Sequence, residues 1–418
     1  MKALYVNALY PPHIGGGAEV VLAGMVRGFR ERGQDVAVLT THGGAGVLRD
    51  QVDGISVYRI GSKNVYWQFP QREHSASART LWHAIDSYNL PAGRQAGALI
   101  DEIRPDLIVC HNLAGLSVSV WAQAERRGIP VVQVLHDYYT LCPKSTMFRG
   151  GRPCAGSCRS CGVFRLPQRS ASKAVAAVVG VSRAILDTHL TRGMFADASI
   201  QAVVHNARSL PPPRERPTGG PFTFGFIGGL TDVKGVDLLA SAFATVARVS
   251  QQPVRLLIAG TGKEEEVARL RSTYASAQIE FVGHVNPFDF FPQLDVSVVP
   301  SLWNDPFPGV VYEALGMGVP VIGARRGGIP EIVQNEVNGL LFEPTEAGAL
   351  ERCLLRLLDD AALLQSMRDA SRDSVAHLLD PERVLDEYEA IYRRLVKGGL
   401  PAAIATESPG AALRVGPG

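Results

Sequence analysis

Short apolar runs rich in β-branched residues alternate with amphipathic helical stretches along nearly the whole chain, and the alternation starts afresh near its middle. The first series predicts strands over 2–7, 35–40, 106–111, 129–136 and 177–181. Between the first two, Pro11-Pro12-His13-Ile14-Gly15-Gly16-Gly17 forms a loop and leads into an amphipathic helix over 18–32, which Gly33 closes. The second series predicts strands over 222–228, 254–260, 279–283, 295–300 and 320–323, and after Thr345 the pattern is helical only. Strands separated by helices line up in parallel with both faces covered, so they are apolar throughout. The break between the series, 208–220, carries Pro211-Pro212-Pro213 and is predicted as a stiff linker. The expected organisation is an α/β domain over 1–207, a second over 221–380, a helix over 381–397 and a mobile tail over 398–418. Ligands of such pairs bind in the cleft, at the carboxyl ends of the strands.

A chain of 418 residues, 46% hydrophobic and 20% charged, has the apolar content for two such cores. Its 42 basic and 40 acidic side chains nearly cancel, a balance that argues against a nucleic-acid partner. No run of about 18 apolar residues predicts a membrane span. Met1-Lys2-Ala3-Leu4-Tyr5-Val6-Asn7 enters a strand directly with no cleavable signal pattern, so a cytoplasmic location is expected.

Three stretches carry candidate chemistry. Gly15-Gly16-Gly17-Ala18-Glu19 lies between the first strand and helix, where glycines let backbone N–H groups approach an anion. Glycine turns after strands are common, so this loop alone is a weak signal. Phe226-Ile227-Gly228-Gly229-Leu230-Thr231-Asp232-Val233-Lys234-Gly235 repeats the arrangement with a lysine just ahead of a helix. A helix N-terminus disfavours a cation, so Lys234 is better explained by a phosphate that it holds. The densest stretch runs from Pro300 through Trp303, Asn304, Asp305, Pro306, Phe307, Pro308, Gly309 and Val310 to Glu313. It sets Asp305 in a loop and Glu313 on the first turns of a helix. Carboxylates so placed accept hydrogen bonds from paired hydroxyls, as a sugar presents them.

Together these stretches resemble the retaining glycosyltransferases of family 4, with Gly318-Val319-Pro320-Val321-Ile322, Arg326-Gly327-Gly328-Ile329-Pro330-Glu331 and Asn338-Gly339-Leu340-Leu341 as further matching pieces. The resemblance implies the GT-B fold, two Rossmann-like domains facing across a cleft, with the C-terminal helix returning to the first. It implies sugar transfer from a nucleotide-sugar donor to a glycan or lipid-linked acceptor, in cell-surface polysaccharide or glycolipid synthesis. Glu313 would bind the ribose, Asp305 the donor sugar, and Lys234 the departing diphosphate. His284, in Val282-Gly283-His284-Val285, marks the loop beside the base. His136, ending a first-domain strand, faces the cleft as a fourth catalytic candidate. Gly16, Gly17, Gly228, Gly229, Pro308, Gly309 and Val310 complete the donor-binding set. Two departures stand out: the family has glutamate where this chain has Asp305, and an arginine where it has Gly229, a loss that Arg325 or Arg326 would have to make good. With no Asp-x-Asp pair in the sequence, no catalytic cofactor is expected. A nucleotide-sugar epimerase or hydrolase, or a non-catalytic sugar-nucleotide binder, are the competing readings.

Four of the six cysteines, Cys142, Cys154, Cys158 and Cys161, crowd into an insertion over about 138–170. The spacing of the last three matches that of radical S-adenosylmethionine enzymes, but those belong to a barrel and leave one iron open, and Cys142 offers a fourth ligand here. Four thiolates at short spacings fit a closed structural zinc site, with an iron–sulfur cluster or four free thiols as alternatives. From Tyr138 to Leu186 the sequence carries Lys144, Arg149, Arg152, Arg159, Arg165, Arg169, Lys173 and Arg183 and no acid. A second stretch sets Lys63, Arg72 and Arg79 among Tyr66, Trp67, Phe69 and Trp82. Cations beside exposed aromatics suit an anionic membrane surface, so peripheral contact with the inner face of the membrane is a further expectation.

Overall fold

The computed structural model describes residues 1–70, 72–212 and 219–396. The expected tail, 398–418, and residues 213–218 of the triproline linker lie outside the described residues. In the first sheet, β1 (Lys2–Val6), β2 (Asp35–His42), β3 (Val47–Val52), β4 (Ile55–Gly61), β5 (Leu107–Cys110) and β6 (Val131–Leu135) are followed by a small hairpin, β7 (Phe148–Arg149) and β8 (Arg152–Pro153), and then by β9 (Ala177–Gly180) and β10 (Ile200–Val203). The sheet order is β10-β9-β6-β5-β1-β2-β4-β3, parallel except for β3 against β4. The second sheet orders β11 (Phe222–Ile227), β12 (Val254–Ala259), β13 (Ile279–Gly283), β14 (Val296–Val299), β15 (Val321–Ala324) and β16 (Gly339–Phe342) as β13-β12-β11-β14-β15-β16, all parallel.

Every strand that the apolar runs predicted is present, and central strands such as β5, β6 and β9 are buried along their full length. The expectation missed β3, β4, β10, β16 and the two-residue strands β7 and β8. For the first pair a signal was there: Val52-Asp53-Gly54-Ile55 is a hairpin turn, with Asp53 and Gly54 at φ 51° and 70°. Solvent-facing β3 carries Arg49, Asp50 and Gln51, the polar dress of an edge strand.

Strand order reverses at β1/β5 in the first sheet and at β11/β14 in the second. At such a reversal the loops leaving neighbouring strands diverge to opposite faces and open a crevice. The loops after β1, β5 and β6 in one domain, and after β11 and β14 in the other, are the ones that carry the motifs.

The C-terminal helix, Pro381–Val396, packs against the first domain's helix Gly17–Glu31. Gly28 lets the two helices close up, since a Cβ there would stand 2.5 Å from the Leu385 side chain. Phe29 and Tyr392 rings meet at 5.5 Å, while Arg32 pairs with Glu382 and Asp386 at the rim. The described part of the linker also packs: the Arg208 amide donates to the Leu378 carbonyl, and Leu210 lies on Gly316. Leu385→Ala, which leaves a buried cavity, is expected to cost about 2–5 kcal/mol, whereas Arg32→Ala, whose acidic partners face solvent, should cost about 1 kcal/mol or less. Urea denaturation of both variants checks this; the reverse order would make the attachment ionic rather than apolar.

Candidate active site

The loop after β11 and the loop after β14 are built into one unit. The Leu302 amide donates to the Val233 carbonyl at 2.9 Å. Gly235, at φ 74°, lies so close to this second loop that a Cβ would stand 2.0 Å from the Pro300 oxygen, so no other residue fits there. The result brings Lys234 Nζ to 2.5 Å from Asp305 Oδ2 and 5.6 Å from the Trp303 ring centroid. Asp305 is buried and Lys234 partly open to the cleft. The Trp303 indole N–H is buried with no acceptor among the described residues, a donor that reading the sequence did not single out despite its place in the densest motif.

A third loop closes over this unit. Gly328 donates its amide to the Asp305 carbonyl at 2.8 Å, and Gly327, at φ 54°, would put a Cβ 2.0 Å from that oxygen. Arg326, however, is bound through both terminal nitrogens to Glu343, and this guanidinium holds the Glu343 carboxyl down at about 2. Arg325 turns to a groove beside Glu346 and Arg352. Neither arginine replaces the cation absent at Gly229, contrary to expectation.

Glu313 lies on the helix Gly309–Gly316, whose N-cap is Pro308, and its carboxylate stands over Gly309. Arg208 from the linker donates to Glu313 Oε1 at 2.8 Å, a contact the motif did not foretell. Val310, on the same first turn, is half-buried. At the ends of β11, β12 and β13 a hollow of about 390 Å³ is lined by Leu230, Gly260, Gly262, Val267 and Arg271. His284 is exposed just beyond β13, next to this hollow's Gly283. Gly228 is tied into the sheet through its amide to the Ala259 oxygen, while Gly229 has open space around it.

On the first-domain side, Gly15, Gly16 and Gly17 are exposed at the start of the helix Gly17–Glu31. Their anion is internal: Glu19 folds back and draws on the Gly15 and Gly16 amides, and burial pushes its carboxyl up against the pull of these hydrogen bonds. His136, after β6, shares a hydrogen bond of 2.8 Å with Nδ1 of His111, which follows β5 and was not foreseen as a partner. Burial lowers His136 to about 4, leaving it neutral near pH 7. Asp137 accepts from the Tyr139 amide and from Asn112, and burial raises it to about 6. Tyr138 meets Trp303 edge-on across the cleft at 6.3 Å, so the β6 end and the Asp305 loop face each other.

Glu331 fastens the two sides. Its carboxylate accepts from the Arg183 and Ala184 amides at 2.8 Å, at the start of the helix Arg183–Leu190, and from His205 at 3.1 Å. Burial works to raise its pKa, yet His205 and the two amides prevail and lower it. His205 also stacks on Phe307 at 4.8 Å.

Two expectations for the aromatic stretch and the basic insertion need correction. Trp82 is buried and Tyr66, Trp67 and Phe69 are half-buried, because they stack on one another and on His13 and His74. Arg165 is no surface charge: it is buried 4.0 Å from Asp86 and lies over the Tyr139 ring. All four cysteines are free thiols, and three of them come together, Cys158 and Cys161 with sulfurs 3.1 Å apart and Cys142 3.8 Å from Cys161. Among the described residues, no three or more His, Cys, Asp or Glu side chains stand together in an arrangement that holds a metal ion, so the expected zinc site is not preformed.

Residues 16–207 match the family described as Glycosyl transferase 4-like domain, and residues 221–360 match Glycosyl transferases group 1. An uncharacterized 42.6 kDa protein in the cps region of Klebsiella pneumoniae is 27% identical over 79% of this chain and 87% of its own. N-acetyl-alpha-D-glucosaminyl L-malate synthase of Bacillus anthracis is 30% identical, over 40% of this chain and 44% of its own length. Among solved structures, sucrose-phosphate synthase of Thermosynechococcus elongatus superposes with a TM-score of 0.73 at 18% identity, over 95% of this chain and all of that one. Anabaena HepE, solved with UDP and glucose, gives 0.68 at 19% identity, over 94% and 99%. At such identities these two speak for the fold alone. The two family matches together span both sheets apart from β1, with most of the cleft loops, and the chain belongs to the family 4 glycosyltransferases, with the GT-B fold.

Proposed function

We propose that the chain moves a sugar, with retention at the anomeric carbon, from a nucleotide-sugar donor to a glycan or lipid-linked acceptor of cell-surface polysaccharide or glycolipid synthesis. The observation that carries this reading is the Lys234–Asp305 pair at the β11/β14 reversal, facing the β6 end across the cleft. A diphosphate entering beside the helix Val236–Val249 meets Lys234 and competes with Asp305 for it. Charge that develops on the leaving diphosphate is then met by a cation already in place, which lowers the barrier without reorganisation. Asp305, released in part, accepts from hydroxyls of the donor sugar, and Glu313 from those of the ribose, with Arg208 holding one of its oxygens. Retention follows from attack on the face the diphosphate leaves, with a phosphate oxygen taking the acceptor proton, so no protein nucleophile is needed. His136, neutral and held by His111, serves as a hydrogen-bonding group toward the sugars. The relative in a cps region supports a glycan-building role.

The acceptor side extends to a membrane. Leu81, Val163 and Leu166 are 53%, 67% and 67% exposed on three short helices that pack together. Exposed Arg79, Lys144 and Arg169 lie in the same region, Arg79 and Lys144 both close enough to act on His83. No helix among the described residues is long and apolar enough to cross a bilayer, so such contact is peripheral.

Incubating the protein with candidate donors, with and without acceptor, separates transfer from acceptor-independent turnover and from binding alone. Lys234→Ala is expected to lower kcat by about 10²–10³-fold, and Glu313→Gln to raise KM for the donor more than it lowers kcat; steady-state kinetics near wild type for Lys234→Ala would refute the phosphate role. Asp305→Glu should keep part of the transfer activity and Asp305→Asn should lose most of it, and equal rates in all three would leave this carboxylate a structural one. Vesicle co-sedimentation should be strong with anionic lipid, weak with neutral lipid and reversed by salt, each cation contributing roughly 1 kcal/mol. Replacing Arg79, Lys144 and Arg169 together by glutamine should abolish most of it while donor binding stays; unchanged sedimentation would make the charge run a solvated face.

A further inference from the structure

The middle of the insertion after β6, between the buried Met147 and Arg165, has little to hold it. Its regular elements are two strands of two residues each and the helix Arg159–Phe164 of six, with Val163 turned to solvent. Segments this short bury too little apolar surface to order themselves and need a covalent or metal staple. What they do bring together is sulfur. The Cys142 amide donates to the Tyr138 carbonyl, anchoring Cys142 directly behind the cleft residue Tyr138. The hairpin turns at Gly150-Gly151, both left-handed, and returns the chain so that the Cys154 amide donates to the Met147 carbonyl at 2.7 Å. Cys158 precedes the short helix and accepts from the Cys161 amide, as thiolate ligands in a Cys-x-x-Cys knuckle do.

We propose that Cys142, Cys154, Cys158 and Cys161 are the four ligands of one structural zinc ion that folds this insertion and takes no part in sugar transfer. With Zn–S bonds of about 2.3 Å, the edge of a tetrahedral ZnS₄ unit is about 3.8 Å. Cys142 and Cys161 stand at that separation, 3.8 Å. Cys158 and Cys161, at 3.1 Å, must open by about 0.7 Å to reach it, a movement within one rotamer well of a half-buried knuckle. Cys154 lies within electrostatic range of Cys142 and Cys158. Four thiolates around Zn²⁺ leave a double negative charge, and the surroundings answer it: Arg149, in the stretch that carries no acid from Tyr138 to Leu186, and Arg192 beyond it both act on the Cys154 thiol. Binding requires each thiol to lose its proton to solvent, four protons for one Zn²⁺, with no change of oxidation state. Four Sγ ligands would fill the tetrahedron and leave no position for water or substrate, so the site is closed.

The full chain, purified under reducing conditions without chelator, should contain about one zinc by elemental analysis, and Cys158→Ser and Cys161→Ser should each lose most of it. Cys110→Ser and Cys353→Ser, whose thiols lie elsewhere, should keep it. Because a serine variant can disorder the insertion, Co²⁺ exchanged into the unmodified protein supplies a second readout: thiolate-to-cobalt charge-transfer bands with the intense visible bands of a tetrahedral site. Four alkylatable thiols with no metal, a Cys158–Cys161 disulfide in protein kept under reductant, or octahedral cobalt spectra would each overturn the proposal.

Discussion

A carboxylate taken out of water is tolerated only beside a cation and hydrogen-bond donors, and Asp305 is such a group. Its partner, Lys234, comes from a different crossover of the same sheet, so the two loops must close on each other for either residue to be accommodated. The Gly235 approach to Pro300, the Leu302 amide on Val233 and the Gly328 amide on the Asp305 carbonyl are the backbone conditions of that closure. Replacing a buried ion pair by apolar residues of similar volume often costs nothing. This pair is therefore explained poorly as a stabiliser, which fits the proposed role of Lys234 as a cation held ready for a departing diphosphate. Placing it at the strand reversal leaves it open on one side only, toward the first domain.

That first domain meets it with matched chemistry. Tyr138 approaches Trp303, and just behind it the His136–His111 pair is kept neutral by burial. Among the contacts that hold the domains are Glu331 on the amides of the helix Arg183–Leu190, and the C-terminal helix on the helix Gly17–Glu31. They differ in kind. The helix is held by Leu385, Tyr392 and their apolar partners and behaves as part of the first domain's core. Glu331 is a polar contact whose strength depends on its charge: its folded pKa is depressed, so its contribution is full above the ordinary glutamate range and lost as pH falls through the lowered value.

How far the sequence could be read depended on the range of the signal. The central strands were legible because each is buried on both faces, so local composition alone declared them; β3, half exposed, declared itself only through the turn at Asp53-Gly54. The positions of Lys234, Asp305 and Glu313 on their loop and helix were legible because glycine and proline around them fix the local backbone. Their partners were not. Arg208 on Glu313, His111 on His136 and Glu343 on Arg326 join residues 105, 25 and 17 apart in sequence, and no local pattern encodes such a pairing.

Surface assignments show the same limit. The acid-free stretch reads as a uniform basic face, yet Arg165 is drawn inward by Asp86 and Tyr139, and the aromatics near Trp82 stack on histidines rather than facing solvent. By itself the sequence determined the two α/β series, the glycine and carboxylate loops at their strand ends, and the clustering of cysteines, because each follows from periodicity or spacing within a few tens of residues. Only the tertiary structure decided which cations stay open to a ligand and which are already spent on a carboxylate, because a charge's partner is set by where the chain folds in space and not by what stands beside it in sequence.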